Sequence, residues 1–306
     1  MPLSPQMRWQ LDRMRERISA MFQPAPKDQR PRLCPACRAL VGSTATKCHE
    51  CGASMTYSLA AASRSLSGLL PAEFPVTYGL MIVNLMLFTV TVVASVESGN
   101  FSWMGDVDGR ILLRLGAMYP PLIILKSEWW RLVMPIFLHG GLLHILFNCW
   151  VLADIGRMVE ELYGSPRYLF LYVMTGIASF WVSMSWMLFA YGGQGFSIGA
   201  SGSLMGLMGL IIAMTQRRGG AYARMIRSRI MQWVVYIFVL GIFFRADHAA
   251  HLGGLASGYL LGLLFADREP ASGPERKRAY LLGWLAGVIV VAAFGAVITR
   301  RILEGN

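Results

Sequence analysis

The sequence predicts an all-α polytopic membrane protein that carries a small metal-binding ribbon near its N-terminal end. Three observations carry this reading. Hydrophobic residues make up 55% of the 306 positions and charged residues 15%, against about 25% charged in an ordinary soluble domain. Apolar windows of about 20 residues, enough to cross roughly 30 Å of hydrocarbon, recur from residue 76 onward. Four of the five cysteines fall within 18 residues, from Cys34 to Cys51. With a mean hydropathy of +0.48, the chain holds more apolar surface than a water-soluble fold hides. The same composition excludes disorder, a collagen repeat and a disulfide scaffold.

The charge balance, 28 Lys+Arg against 17 Asp+Glu, is not read as a nucleic-acid signal. In a membrane protein basic residues collect in cytoplasmic loops, so no nucleic-acid partner is expected. Residues 1–32 form a basic segment without the uninterrupted apolar stretch of a secretory signal. Met7, Leu11, Met14, Ile18 and Met21 recur at helical spacing among Arg8, Arg13, Arg15 and Arg17. Two readings stand: a basic amphipathic helix on anionic lipid, or a short solvated helix. Pro24, Pro26 and Pro31 end the pattern.

Residues 33–54 hold Cys34-Pro35-Ala36-Cys37 and, ten residues on, Cys48-His49-Glu50-Cys51. Two such knuckles close a tetrahedral thiolate cage, the ligand set of a structural zinc. Two disulfides or a redox dithiol are the alternatives; disulfides require an oxidising compartment. Residues 55–73 read as a linker. The basic residues around the ribbon suggest a face for anionic lipid or for a cytoplasmic protein partner, beside the plainer reading of a solvated module.

Seven spans are predicted, near 76–96, 138–157, 168–191, 199–216, 230–245, 249–266 and 279–299. Arginines orient them. Arg157 and Arg167 flank the turn after the second span; Arg217, Arg218, Arg224, Arg227 and Arg229 fill the loop after the fourth; Arg268, Arg276, Lys277 and Arg278 precede the seventh. This puts the N-terminus and ribbon in the cytoplasm. Arg300 and Arg301 at the far end are mild violations, as are Arg110, Arg114, Lys126 and Arg131 in the long external stretch 97–137. Trp103, Tyr119, Trp129 and Trp130 suit that stretch to the membrane interface.

Polar side chains inside spans are functional candidates by default. Three groups qualify: His139 to Asn148 opening span two, Gly199-Ala200-Ser201-Gly202 opening span four, and Asp247 to Gly254 opening span six. His144 and Asn148 share a helix face. Ser201 precedes Arg217 by 16 residues, and His251 precedes Asp267 by 16. Both therefore lie roughly 24 Å above the cytoplasmic boundary. A serine and a histidine at matched depth on two helices can meet. Gly202 and Gly206 on one helix, and Gly254, Gly258 and Gly262 on the other, let the backbones approach closely.

These residues resemble a rhomboid intramembrane serine protease. Glu128-Trp129-Trp130-Arg131, His139…His144…Asn148, Gly199-Ala200-Ser201-Gly202 and Ala250-His251 followed by Gly254, Gly258 and Gly262 carry the likeness, within residues 74–268. The resemblance implies a six-helix core with one helix added after it, from the segment 269–306. It implies Ser201 as nucleophile, His251 as base, and His144 and Asn148 in the oxyanion hole. Glu160, four before Gly164, matches a structural glutamate. Met205 departs from the better-known bacterial pattern, which has an aromatic there to stack on the histidine. By the same resemblance the substrates are single-span membrane proteins with easily unwound helices. A multi-pass protein of a bacterial plasma membrane is expected, needing no cofactor for catalysis and surrounded by membrane lipid.

The chemistry also reads without the family. A serine at a helix start gains free backbone N–H groups and the positive dipole end. A histidine can take its proton, and the His144 ring, the Asn148 amide and the Ser201 N–H supply donors for an oxyanion. Asp247 is read as a helix N-cap, Cys149 as a small buried hydrophobe, and Ser183, Ser185 and Ser257 as bonding their own helix carbonyls. His139 and His248 are read as stabilising loops. No H-E-x-x-H run supports a metalloprotease, and no inverted repeat suggests a transporter. The rival function is a catalytically inactive relative that binds transmembrane clients.

Overall fold

The computed structural model describes residues 31–34, 36–55, 73–99, 107–265 and 267–304. The basic helical pattern at 7–22, the linker at 56–72 and Trp103 lie outside these residues. The chain divides into two compact units, Met1–Ser58 and Leu59–Asn306. In the first, β1 (Arg32–Leu33) pairs antiparallel with β2 (Leu40–Val41).

The second unit is helical: α1 (Pro75–Glu97), α2 (Gly109–Leu115), α3 (Pro120–Lys126), two 3₁₀ turns at Trp129–Leu132 and Met134–Phe137, α4 (Leu142–Tyr163), α5 (Ser165–Tyr191), α6 (Ser201–Arg218), α7 (Gly220–Phe243), α8 (His248–Leu264) and α9 (Gly273–Glu304). This is the all-α polytopic architecture that hydropathy predicts. Among the described residues, five helices are long and apolar enough to cross a membrane: α1, α4, α5, α7 and α9. The other two expected spans correspond to α6 and α8, of 18 and 17 residues. Both are rich in glycine and begin with polar residues.

The apolar pattern is inside out relative to a soluble fold. On α1 the buried positions include Thr77, Asn84, Thr91 and Ser95, while Ile82, Leu85, Met86, Val90 and Val93 face outward. In lipid, burial of large apolar groups no longer drives helix association, so small and polar residues occupy the seams. The α6–α8 seam shows this most clearly. A Cβ at Gly254 or Gly258 would fall on the carbonyl oxygen of Gly202 or Gly206, and one at Gly209 would stand 2.6 Å from the Tyr259 nitrogen.

Glu160 ties three elements together. Its carboxylate accepts the Val76 and Thr77 N–H groups at 3.0 and 2.9 Å, the Thr77 hydroxyl at 2.7 Å and the Ser165 hydroxyl at 2.6 Å. It thereby caps α1 from another helix, since Phe74 at the cap position has no side-chain acceptor.

The largest departure from the expected boundaries is at the start of α7. Helix α7 begins at Gly220, ten residues before the apolar window, so Arg224, Arg227 and Arg229 lie on a helix and not in a loop. Arginine and methionine are good helix formers, and positive charge marks the edge of the apolar zone, not the end of a helix. The break is at Gly219 and Gly220, both with positive φ.

Candidate active site and cysteine cluster

The turn before α6 requires glycine. Gly199 has φ +126°, where other residues are strained, and its N–H donates to the Pro135 carbonyl at 2.8 Å. Ser201 then opens α6. A Cβ at position 199 would stand 2.8 Å from Nε2 of His144 and 3.7 Å from Oγ of Ser201. The imidazole and the hydroxyl therefore border one small space. The Leu204 N–H bonds the Ala200 carbonyl; the N–H groups before it stand at the positive end of the helix.

Asp247 starts α8. Its Oδ1 accepts the Ala250 N–H at 3.0 Å, as an N-cap does, and its Oδ2 accepts the Ser183 hydroxyl of α5. Ser183 thus corrects the expectation that it bonds its own helix: a carboxylate within reach is a stronger acceptor than a carbonyl already used in a helix. Ser185 and Ser257 do bond their own helices. One turn beyond the cap, His251 is 3% exposed, and its Nε2 lies 2.8 Å from Oγ of Ser201. With the hydroxyl donating to Nε2, the ring proton sits on Nδ1. Nδ1 has no hydrogen-bond partner among the described residues.

A serine hydroxyl and a buried imidazole, 50 positions apart in sequence, meet across two glycine-lined helices. The Rhomboid domain family matches residues 126–268, a stretch that includes both. The chain carries a rhomboid domain. It is 32% identical over 195 residues to "Rhomboid protease GluP" of Bacillus subtilis, covering 61% of this chain and 34% of that protein. It is 33% identical over 163 residues to "RHOMBOID-like protein 1" of Arabidopsis thaliana, covering 51% and 40%. To "Rhomboid-like protease 1" of Toxoplasma gondii it is 30% identical over 197 residues, covering 62% and 63%. The chain thus spans between about a third and two thirds of the length of these relatives. The rhomboid domain and the five apolar helices make this an integral membrane protein.

Within the rhomboid domain, the Gly140 N–H donates to Nδ1 of His144 at 3.4 Å. That assigns the His144 proton to Nε2, the nitrogen beside Gly199 and Ser201. Asn148 donates one amide N–H to the His144 carbonyl at 2.9 Å, which fixes the amide on the same face. His139 is wholly buried and packs edge-on against His144, with ring centroids 5.1 Å apart. Met205 is fully buried. The aromatic beside His251 is instead Phe238 of α7, edge-on at 5.8 Å and stacked on His248 at 5.4 Å. Sequence reading did not single out Phe238. The available signal was depth: it lies five residues before the end of α7, and His251 lies three residues into α8.

In the N-terminal unit the two knuckles are built alike. The Cys34 N–H donates to Ala39 and the Arg38 N–H to Cys34; fourteen residues on, Cys48 donates to Ala53 and Gly52 to Cys48. Arg38 and Gly52 both hold left-handed φ, +61° and +67°. The four Sγ atoms lie within 4.8 Å of one another. The Cys34–Cys51 and Cys37–Cys48 pairs are each 3.6 Å apart. A disulfide needs about 2.05 Å, whereas Zn–S bonds of about 2.3 Å in a tetrahedron put sulfurs roughly 3.8 Å apart. The donor set therefore fits a zinc ion. Backbone N–H groups, that of Cys51 foremost, draw the Cys48 thiol down to about 6. Burial pushes Cys51 up to about 12. Four thiolates cannot share so small a volume without a cation to offset their charge.

Proposed function

We propose that this protein is an intramembrane serine endopeptidase acting on single-span membrane proteins. The observation that carries the proposal is the 2.8 Å contact between Ser201 and the buried His251, inside a rhomboid domain whose relatives include named proteases. Ser201 Oγ attacks the scissile carbonyl carbon while its proton passes to Nε2 of His251. The carbonyl oxygen becomes an oxyanion that accepts from the Ser201 N–H, from Nε2–H of His144 and from the Asn148 amide. The imidazolium then protonates the leaving amine, and water hydrolyses the acyl-serine by the same proton route in reverse. With no carboxylate of the described residues bonded to Nδ1, the unit is read as a dyad. The substrate helix must open to expose a peptide bond, because a lipid-embedded helix keeps its backbone groups paired. The reading places the N-terminus and ribbon on the cytoplasmic side of a bacterial plasma membrane, with Ser201 near the opposite face.

Purified protein reconstituted with a labelled single-span client tests this. Fragments ending at or within the client's apolar segment are expected; a client that co-purifies uncut would favour an inactive client-binding relative. His144→Ala and Asn148→Ala should each lower kcat more than they raise KM, because their donors act on the transition state. One oxyanion donor is worth about 2.7–4 kcal/mol, and redundancy among three donors makes each single effect smaller. An unchanged kcat in the double variant would remove both residues from the mechanism.

Cys34, Cys37, Cys48 and Cys51 are proposed to hold one structural zinc, whose binding supplies folding free energy that so short a segment cannot draw from a core. Four thiolates leave no open position for a reacting water, so the ribbon takes no part in hydrolysis. Purified protein should contain one zinc, lost when the four cysteines are replaced. A chain starting near Ala53 should keep its turnover of a generic client in detergent. Zinc-free protein would refute the ribbon, and a folded but inactive truncation would refute its separateness from the active site.

A further inference from the structure

One arginine from each of the two sets that fit the orientation pattern worst pairs with the same carboxylate, that of Glu128. Arg131 is 1% exposed; its Nε donates to Glu128 at 2.5 Å. The other oxygen of Glu128 is paired with Arg300, in the last turns of α9. One buried carboxylate thus serves two arginines, one from the segment between α3 and α4 and one from the final helix. A second contact joins the same elements: Phe294 of α9 meets Phe137 with ring centroids 5.7 Å apart.

The connection continues to the nucleophile. Nη1 of Arg131 donates to the carbonyls of Leu113 and Ala117 at 2.7 and 3.0 Å. The next residue, Met118, exchanges two backbone hydrogen bonds with Ser197, at 3.0 and 2.9 Å. Two residues on, Gly199 donates to Pro135, which shares the four-residue 3₁₀ turn Met134–Phe137 with the ring that Phe294 touches. Ser201 follows. Every step is an ion pair, a hydrogen bond, a ring contact or a peptide link, so displacement at Glu128 reaches the Ser197–Ser201 turn without crossing an unbonded gap.

We infer that Arg300 is a positioning residue for Ser201: α9 holds the turn that presents the nucleophile, through Glu128, Arg131 and Met118. The inference rests on the dyad proposed above. It gives the added helix a task in the reaction while leaving it outside the reacting atoms. It also separates two roles at one carboxylate. Without Arg300, Glu128 still keeps Arg131, so its carboxylate is not left unpaired. Without Glu128 both arginines lose the carboxylate they share, and the penalty is structural.

Two readouts on the full chain test it. The first is the rate at which Ser201 reacts with a fluorophosphonate, Oγ bonding to phosphorus as fluoride leaves, together with kcat and KM on a client. Arg300→Ala should lower the phosphonylation rate and kcat by about 3- to 30-fold, the usual range for coupling through a bonded network, with KM within about twofold. Arg300→Lys should recover most of the loss, and Ile302→Ala, at a side chain 73% exposed one turn-end further on, should match the wild type. The second is amide hydrogen exchange at Ser197 and Gly199, which should quicken in Arg300→Ala and not in Ile302→Ala. Wild-type reactivity in Arg300→Ala, a loss confined to KM, or unchanged exchange at both amides would each overturn the inference. Faster exchange in a protein whose wild type never reacts would overturn the dyad and leave the coupling standing.

Discussion

Ser201→Ala and His251→Ala are each expected to abolish cleavage of a single-span client while leaving the protein folded. The two groups act as one unit: the hydroxyl is a weak nucleophile until Nε2, 2.8 Å away, takes its proton. Loss of either member removes the covalent route, and comparable single deletions in serine hydrolases cost on the order of 10⁶-fold in kcat. Ser→Ala removes one oxygen and opens no large void, whereas His251→Ala leaves a cavity lined by Phe238 and His248. The melting temperature should therefore stay near wild type for Ser201→Ala and fall modestly for His251→Ala. Turnover above a few per cent in either purified variant would sink the dyad.

The second large effect is structural and arises on the same seam. Gly258→Val places its Cβ on the Gly206 carbonyl oxygen, backbone against side chain, where no rotamer change gives relief. Helices α6 and α8 must separate, at a cost of about 3 kcal/mol or more, the upper end for overpacking. The same separation pulls His251 away from Ser201, so stability and activity should fall together. Gly287→Ala is the control: none of the described residues lies within 4 Å of its added methyl, and alanine favours helix over glycine by about 1 kcal/mol. Thermal unfolding in detergent reads both. A Gly258→Val protein that melts with the wild type would show that the seam is looser than described.

Much of the architecture could be read from residues alone because lipid imposes a simple rule: about 20 apolar residues per crossing. Depth arithmetic from Arg217 and Asp267 set Ser201 and His251 level with each other, and the two lie 2.8 Å apart. Glycines four apart on two spans pointed to the seam. What the sequence hid are pairings between residues that belong to no short pattern. Glu128 with Arg300 and Ser183 with Asp247 each join distant segments. Neither has a spacing rule, since their meeting depends on the order in which helices pack. Arg300 looked like a charge on the wrong side; its explanation is a carboxylate 172 positions earlier in the chain. The early start of α7 was hidden for another reason, since hydropathy marks where lipid ends and a helix continues wherever its backbone has no breaker.

The identity of the nucleophile is tested most directly by treating purified wild-type and His251→Ala protein with a fluorophosphonate and locating the adduct by peptide mass spectrometry. One phosphonate is expected on the peptide containing Ser201 in the wild type and none in the His251→Ala protein over the same time. An adduct on another serine, or equal labelling of Ser201 without His251, would contradict it.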